Sequence, residues 1–353
     1  MLAPGAALRY TANVVLDRLR VPIVQAPMAG GPSTPALAAA VCEAGGFGML
    51  AAGFKTAAAA REDVERLRAA TRAPFGVNVF VPPEAPANPA AVAAYARRLG
   101  DGLGKARFDK DDYDGKLDVV LETRPAVASF TFGCPDAGTI DRLRHAGVET
   151  WVTVTTAAEA AEAAAVGAAA LVVQGVEAGG HRGSFAEGEG DVGLLALLQL
   201  VRAETDLPLV AAGGIATGAA VAAVLCLGAA AAQVGTAFMR CPESGTAPPH
   251  RDAIGTRRPT ALTRAFTGRM ARGIVNDFMR EHSAHAPKAY PEIAHLTAPL
   301  RQAGDPERAP LWAGQAHRLA LELPAAEVVA RLVRECDSAL AALPSSVERR
   351  AEQ

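Results

Sequence analysis

Pro208-Leu-Val-Ala-Ala-Gly-Gly-Ile-Ala-Thr-Gly218 opens a stretch that continues through an alanine-rich segment to Ala232-Gln-Val-Gly-Thr236. Two short apolar runs, 208–212 and 232–236, flank a helical segment that starts at Thr217 and stops at Gly228. Their hydrophobicity is continuous rather than alternating, as a parallel strand buried on both faces requires. Both runs lead into glycine. Glycine lets a backbone come close to an anion, and free N–H groups at a turn or helix start point at it. Closed barrels of βα units often hold a phosphate between the loops after their last two strands. Gly213, Gly214 and the segment Gln233, Val234, Gly235 and Thr236 are therefore the candidate phosphate site.

Working back towards the N-terminus, six more runs of the same kind appear. They are Ile23-Val-Gln-Ala26, Phe47-Gly-Met-Leu50, Phe75-Gly-Val-Asn-Val-Phe80, Val127-Ala-Ser-Phe-Thr-Phe132, Thr150-Trp-Val-Thr-Val154 and Ala170-Leu-Val-Val-Gln174. Helical punctuation lies between them. Thr34-Pro35 supplies an N-cap and an N1 proline with Gly45 as the stop. Thr156-Ala-Ala-Glu159 reads as a capping box closed by Gly167. Eight strands alternating with helices predict an α/β fold, a (β/α)₈ TIM barrel, over the alternative of a doubly wound sheet.

Two segments break the rhythm, 83–124 after the third strand and 242–310 after the eighth. Long connections in a compact fold usually serve function, and both leave the strand ends where barrel active sites sit. They are expected to be inserted lid segments. The implied organisation is barrel over 1–82 and 125–241, lids over 83–124 and 242–310, and C-terminal barrel helices over 311–353.

Composition narrows the functional class. The chain has 353 residues, half of them apolar, and a net charge of −2 without a basic stripe, so neither nucleic acid nor a membrane surface is an expected partner. The five cysteines, Cys42, Cys134, Cys226, Cys241 and Cys336, form no CxxC pair or zinc spacing. Reduced thiols and no metal are expected. The N-terminus lacks the apolar core of a signal peptide, and 218–232 is too short and alanine-rich to span a bilayer. A cytoplasmic location is expected.

Polar residues stand at strand ends where an apolar core would have none. Asn78 and Gln174 carry donors and acceptors that suit the alternating edge of a flavin ring, or else brace the barrel mouth as satisfied amides. Ala26, Pro27 and Met28 end the first strand at the same mouth. The sharpest element is Glu177-Ala-Gly-Gly-His-Arg-Gly183, just past the sixth strand. Gly179 and Gly180 let that loop fold against a ligand and present His181, whose side chain is suited to proton exchange near neutral pH. The other histidines (145, 250, 282, 285, 295 and 317) read as solvated. Arg182 and Lys55 are cations that could attract an anion, but solvated surface charge is their ordinary reading.

These blocks carry a resemblance. The chain resembles the nitronate monooxygenase family, formerly the 2-nitropropane dioxygenases. The similarity lies at Pro22-Ile-Val-Gln-Ala-Pro-Met-Ala-Gly30, Pro74-Phe-Gly-Val-Asn-Val-Phe-Val-Pro82, Val173-Gln-Gly-Val-Glu-Ala-Gly-Gly-His-Arg-Gly183, Val210-Ala-Ala-Gly-Gly-Ile215, Gln233-Val-Gly-Thr236 and Leu311-Trp-Ala-Gly-Gln315. The resemblance implies non-covalent FMN, with Asn78, Gln174, Gly179, Gly214 and residues 233–236 contacting it and His181 acting on the substrate. It implies detoxifying oxidation of an alkyl nitronate, such as propionate 3-nitronate, by O₂ to a carbonyl compound and nitrite. The expected partners are a small-molecule nitronate or nitroalkane and O₂, with a homodimer as the candidate assembly. The rivals are a related barrel, an FMN-dependent enoyl-ACP reductase that uses NAD(P)H, and a catalytically silent flavin-binding module, against which an intact His181 argues. The acidic stretch from Asp109 to Asp114 and the run from Pro242 to Glu307 match no motif.

Overall fold

The computed structural model describes residues 15–188 and 191–351, with side chains as far as Ala342. The expectations placed on residues 1–14 therefore lie outside the described residues. The strands are β1 (Ile23–Gln25), β2 (Gly48–Ala51), β3 (Phe75–Phe80), β4 (Val127–Thr131), β5 (Glu149–Val154), β6 (Ala170–Gln174), β7 (Gly180–His181), β8 (Leu209–Ala212), β9 (Ala231–Val234), β10 (Thr260–Thr263) and β11 (Ala271–Ile274). Eight of them form one parallel sheet in the order β1-β9-β8-β6-β5-β4-β3-β2. Its ends meet through the parallel bridge Val24–Phe47, where Gln25 N–H donates to Phe47 O and Phe47 N–H to Ile23 O, both at 2.9 Å. The fold is a (β/α)₈ barrel.

Inward positions along each strand change character from bottom to top. Val24, Met49, Val127, Trp151, Val172, Val210 and Ala231 fill the lower interior, and Leu16 of the short helix Val15–Arg18 plugs it from below. One pleat higher on the same face (strand side chains repeat every second residue) stand Asn78, Ser129, Thr153, Gln174 and Gln233. The apolar layers make a packed core rather than a pore, so ligand space opens only above them.

The helices lock on as their punctuation dictates. Thr34, Thr156 and Thr217 each cap a helix by accepting an N–H from Leu37, Glu159 and Ala220 respectively. The capping box at Thr156 closes differently from expectation. The Glu159 carboxylate takes the backbone N–H and hydroxyl of Thr155, at 2.6 and 2.9 Å, together with the N–H of Phe185 at 2.6 Å. The local partner is Thr155, one residue before the N-cap, and a tertiary one is added, so this buried acid ties the helix start to the loop after β6. The eighth barrel strand is also shorter than its sequence run. It ends at Val234, and Thr236 begins a 3-10 turn.

The two long connections pack on each other above the mouth. Val92, Tyr95 and Leu99 from the first share an apolar cluster with Phe266, Phe278, Met279, Ile293 and Leu296 from the second. Tyr95 Oη donates to Ala265 O at 2.9 Å, and Gly104 N–H to Leu296 O at 2.8 Å. The helix Tyr113–Thr123 within the first connection lies instead on the barrel wall, where Leu117 and Val120 join Val64, Phe75 and Val77. In the second, β10 and β11 form a small antiparallel sheet with β7, which carries His181.

Candidate active site

A cavity of about 960 Å³ opens at the C-terminal ends of the barrel strands, at the upper end of the size usual for ligand sites. Ala26, Pro27, Met28, Asn78, Gln174, Gly179, Gly180, His181, Gly213, Gly214, Gln233, Gly235 and Thr236 all line it. Val234 does not; it is buried in the layer between barrel and helices. A strand's alternation turns Val234 away from the side that Gln233 and Gly235 face.

At one end stand the turns after β8 and β9. Gly213 and Gly214 adopt φ of +110° and +72°, conformations that strain any residue with a Cβ. The amide N–H groups of Gly214, Ile215, Gly235 and Thr236 have no acceptor among the described residues. Unpaired donors beside paired glycines make an anion cradle. Across it, Gly314 N–H donates to Thr236 Oγ1 at 3.0 Å, which fastens the 311–315 segment to the cradle.

The floor is polar and partly spoken for. Asn78 Nδ2 donates to Ser129 O (3.2 Å), Ser129 Oγ (2.9 Å) and Thr131 Oγ1 (3.0 Å), so its carbonyl oxygen is the atom left for a ligand donor. Gln174 Oε1 accepts from Gly183 N–H at 2.8 Å and from Arg182 Nη1 at 3.1 Å, while its Nε2 donates to His181 O at 3.1 Å. Gln174 thus braces the histidine loop as well as lining the cavity. Gln233 makes no side-chain hydrogen bond among the described residues and keeps a donor and an acceptor for a ligand. Unpaired backbone amides at one end and amide side chains on the floor have the donor and acceptor pattern that the anionic tail and ring edge of a flavin nucleotide would need.

His181 stands over this floor in an aromatic enclosure. Its ring centroid lies 6.2 Å from Phe54, 5.6 Å from Phe132, 6.0 Å from Tyr290 and 5.7 Å from Trp312. Pairing of β7 with β11 sets His181 opposite Ala271 and so fixes the loop. Burial pushes its pKa down to about 3, helped by the nearby charges of Arg269 and Arg301. The imidazole is therefore held neutral, and the same burial and cations oppose its protonation unless an anion forms beside it.

Several sequence readings are corrected. Arg182 is neither solvated nor in the cavity; it is buried, with Nη1 donating to the carbonyls of Gln174 (3.2 Å) and Gly175 (2.7 Å). Backbone carbonyls that the loop turns inward needed a donor. The remaining histidines are not uniformly solvated. His250 and His317 are held by Trp312 O and Arg258 O, at 2.9 and 3.0 Å, and His282 is buried. His295 meets Asp109 at 2.7 Å, linking the two long connections at the mouth. Lys55 lines the cavity but is ion-paired with Asp63. Phe54, Phe132, Tyr290 and Arg301 escaped the sequence reading because no local pattern marks them. Trp312 lay inside a quoted motif, but its place beside His181 needed the fold.

Comparison with known proteins bears on this arrangement. The family model described as nitronate monooxygenase matches residues 14–335. A nitronate monooxygenase from Paraburkholderia phytofirmans is 42% identical over 337 residues, which covers 89% of this chain and 92% of that protein. The crystal structure of a nitroalkane oxidase from Streptomyces ansochromogenes superposes with a TM-score of 0.90 at 50% identity, covering 94% of this chain and 100% of that one. FabK from Thermotoga maritima superposes less closely, with a TM-score of 0.76 at 27% identity over 95% of this chain and 100% of its own.

Proposed function

The chain belongs to the nitronate monooxygenase family, and from that premise we propose that it oxidises small alkyl nitronates, propionate 3-nitronate among them, with O₂ to a carbonyl compound and nitrite. It is an oxidoreductase of a flavin-dependent group, and FMN is the flavin that the cradle favours. The single cradle at Gly213, Gly214, Gly235 and Thr236 lines one cavity and suits one phosphate. When bound, FMN would supply the electron acceptor for the nitronate and the route to O₂.

The observation that carries the reading is a histidine inside an aromatic enclosure, over the same cavity as the glycine cradle. A neutral nitroalkane must lose its α-proton before it can be oxidised. The His181 lone pair can take that proton within a cavity wall of Phe54, Phe132, Tyr290 and Trp312 that keeps water away. A nitronate is already deprotonated. For it, Arg301, which lines the cavity, offers an opposite charge, and the aromatic rings hold the alkyl part. We propose further that the two long connections act as a lid over the strand ends.

His181→Asn tests the reading, because asparagine keeps hydrogen-bonding capacity without the ability to take up a proton. Turnover of a neutral nitroalkane should fall by about 10²–10⁴, the usual contribution of a general base, while its nitronate suffers less and FMN stays bound. Wild-type kcat and KM for both substrates would remove His181 from the chemistry. A requirement for NADH or NADPH would favour the enoyl reductase reading.

A further inference from the structure

The ring of His181 has a partner that sets which nitrogen carries its proton. Nε2 lies 2.9 Å from Thr267 Oγ1. Thr267 is 1% exposed and sits between β10 and β11, on the small sheet that includes β7. Its hydroxyl donates to the carbonyl of Arg269 at 3.1 Å. That carbonyl has no other donor among the described residues, and leaving a buried acceptor unpaired costs about 1–3 kcal/mol. A hydroxyl has one proton to give. With that proton spent on Arg269 O, Thr267 can only accept from the ring, so Nε2 carries the hydrogen. A neutral imidazole has a single N–H, which leaves the lone pair on Nδ1. Nδ1 makes no hydrogen bond among the described residues and is not sealed off, and His181 lines the cavity.

We propose that Thr267 is a positioning residue that holds His181 as the Nε2–H tautomer and presents Nδ1 as the base for neutral nitroalkanes. This rests on the reading of His181 as a base. In the step, the α C–H bond breaks, its electron pair forms the C=N bond of the nitronate, and the proton passes to Nδ1. The resulting imidazolium keeps its Nε2–H bond to Thr267, so the ring need not rotate. The new anion is formed within reach of the positive fields of Arg269 and Arg301 that act on the ring. Arg269 is held in place with its guanidinium 4.0 Å from the centre of the Phe132 ring.

The test compares the FMN-loaded wild type with Thr267→Val, Thr267→Ser and His181→Asn, using nitroethane and its pre-formed nitronate. Valine keeps the shape and removes both hydrogen bonds. Thr267→Val should lower kcat for nitroethane by about 10²-fold, the order that a misplaced catalytic group costs. Its KM should hardly move, and nitronate turnover should fall far less. Thr267→Ser should restore most of the loss. Nitrogen NMR of histidine-labelled wild type should report a protonated Nε2 and a bare Nδ1 on the signal that His181→Asn removes. Two results would overturn the proposal: wild-type nitroethane turnover in Thr267→Val while His181→Asn fails, or an Nδ1–H tautomer in the wild type. The NMR result decides even if Thr267→Val does not fold. Undiminished nitroethane turnover in His181→Asn would instead bring down the base reading itself.

Discussion

Replacing Gly179 with alanine should cripple the enzyme, whereas the same change at Gly180 should merely destabilise it. A Cβ on Gly179 would sit 2.4 Å from Gly314 N, 2.5 Å from Ala313 C and 2.8 Å from Ala313 Cα. Ordinary contact begins near 3.4 Å, so the two backbones must part by about 1 Å. They are not free to do so quietly. Gly314 N–H is bonded to Thr236 Oγ1 and Gln315 N–H to Glu177 O, each at 3.0 Å. Parting therefore drags the histidine loop away from the phosphate cradle. Overpacking of this kind costs about 1–3 kcal/mol, and a displacement near 1 Å of a catalytic group costs about 10² in rate. Gly180 has φ of +75° with nothing within 4 Å of a new Cβ. Alanine there bears only the left-handed strain of about 1–2 kcal/mol and displaces no neighbour. The assay is nitroethane-dependent O₂ uptake beside thermal melting, with flavin content read from absorbance. Both variants should melt early, but only Gly179→Ala should lose about 10²-fold in kcat/KM. Wild-type turnover in Gly179→Ala, or equal losses in both variants, would refute the close-approach reasoning.

Other consequences are as direct. Gly214→Ala adds a Cβ at φ of +72° in the cradle and should weaken FMN binding by about tenfold, the worth of roughly one hydrogen bond; an unchanged Kd from fluorescence titration would move the phosphate elsewhere. Lys116 is buried with its Nζ 2.7 Å from Asp111, so Lys116→Met strands that carboxylate and should cost about 3–5 kcal/mol in urea unfolding; a loss under about 1 kcal/mol would mean that the pair is solvated. His181, His250 and His282 all have pKa values lowered chiefly by burial. The unfolded chain therefore takes up these protons first. Their stabilisation is complete above the unfolded value of about 6.5 and drains away as pH falls below it, by at most about 1.4 kcal/mol per pH unit for each histidine. His181→Asn should flatten the fall in urea midpoint between pH 7.5 and pH 5, and an unchanged slope would show that His181 is not buried neutral.

What could be read in advance was whatever follows a local period. Runs such as Val210-Ala-Ala and Leu171-Val-Val are strands because both faces are buried, and Asn78, Gln174 and Gln233 stand out because polarity is costly on an inward face unless it is satisfied. Gly179, Gly213 and Gly214 were legible because glycine marks close approach. Tertiary partners were not legible. Glu159 caps across a loop to Phe185, and Arg182 turns inward to satisfy carbonyls, although charge alone says surface. The enclosure of His181 gathers Phe54, Phe132, Tyr290 and Trp312 from four separate segments, and no spacing rule connects them. The sheet that places Thr267 against His181 joins β7 to a partner ninety residues later, Ala271 opposite His181, through two residues that no strand pattern would select.

The most direct measurement of the central claim is anaerobic mixing of the purified holoenzyme with a small nitronate while the flavin absorbance is followed. The flavin band should change on mixing with propionate 3-nitronate alone, without NADH or NADPH, and return when O₂ is admitted as nitrite appears. A flavin that ignores nitronates but is bleached rapidly by NADH or NADPH would contradict nitronate oxidation and make the protein a nicotinamide-dependent reductase.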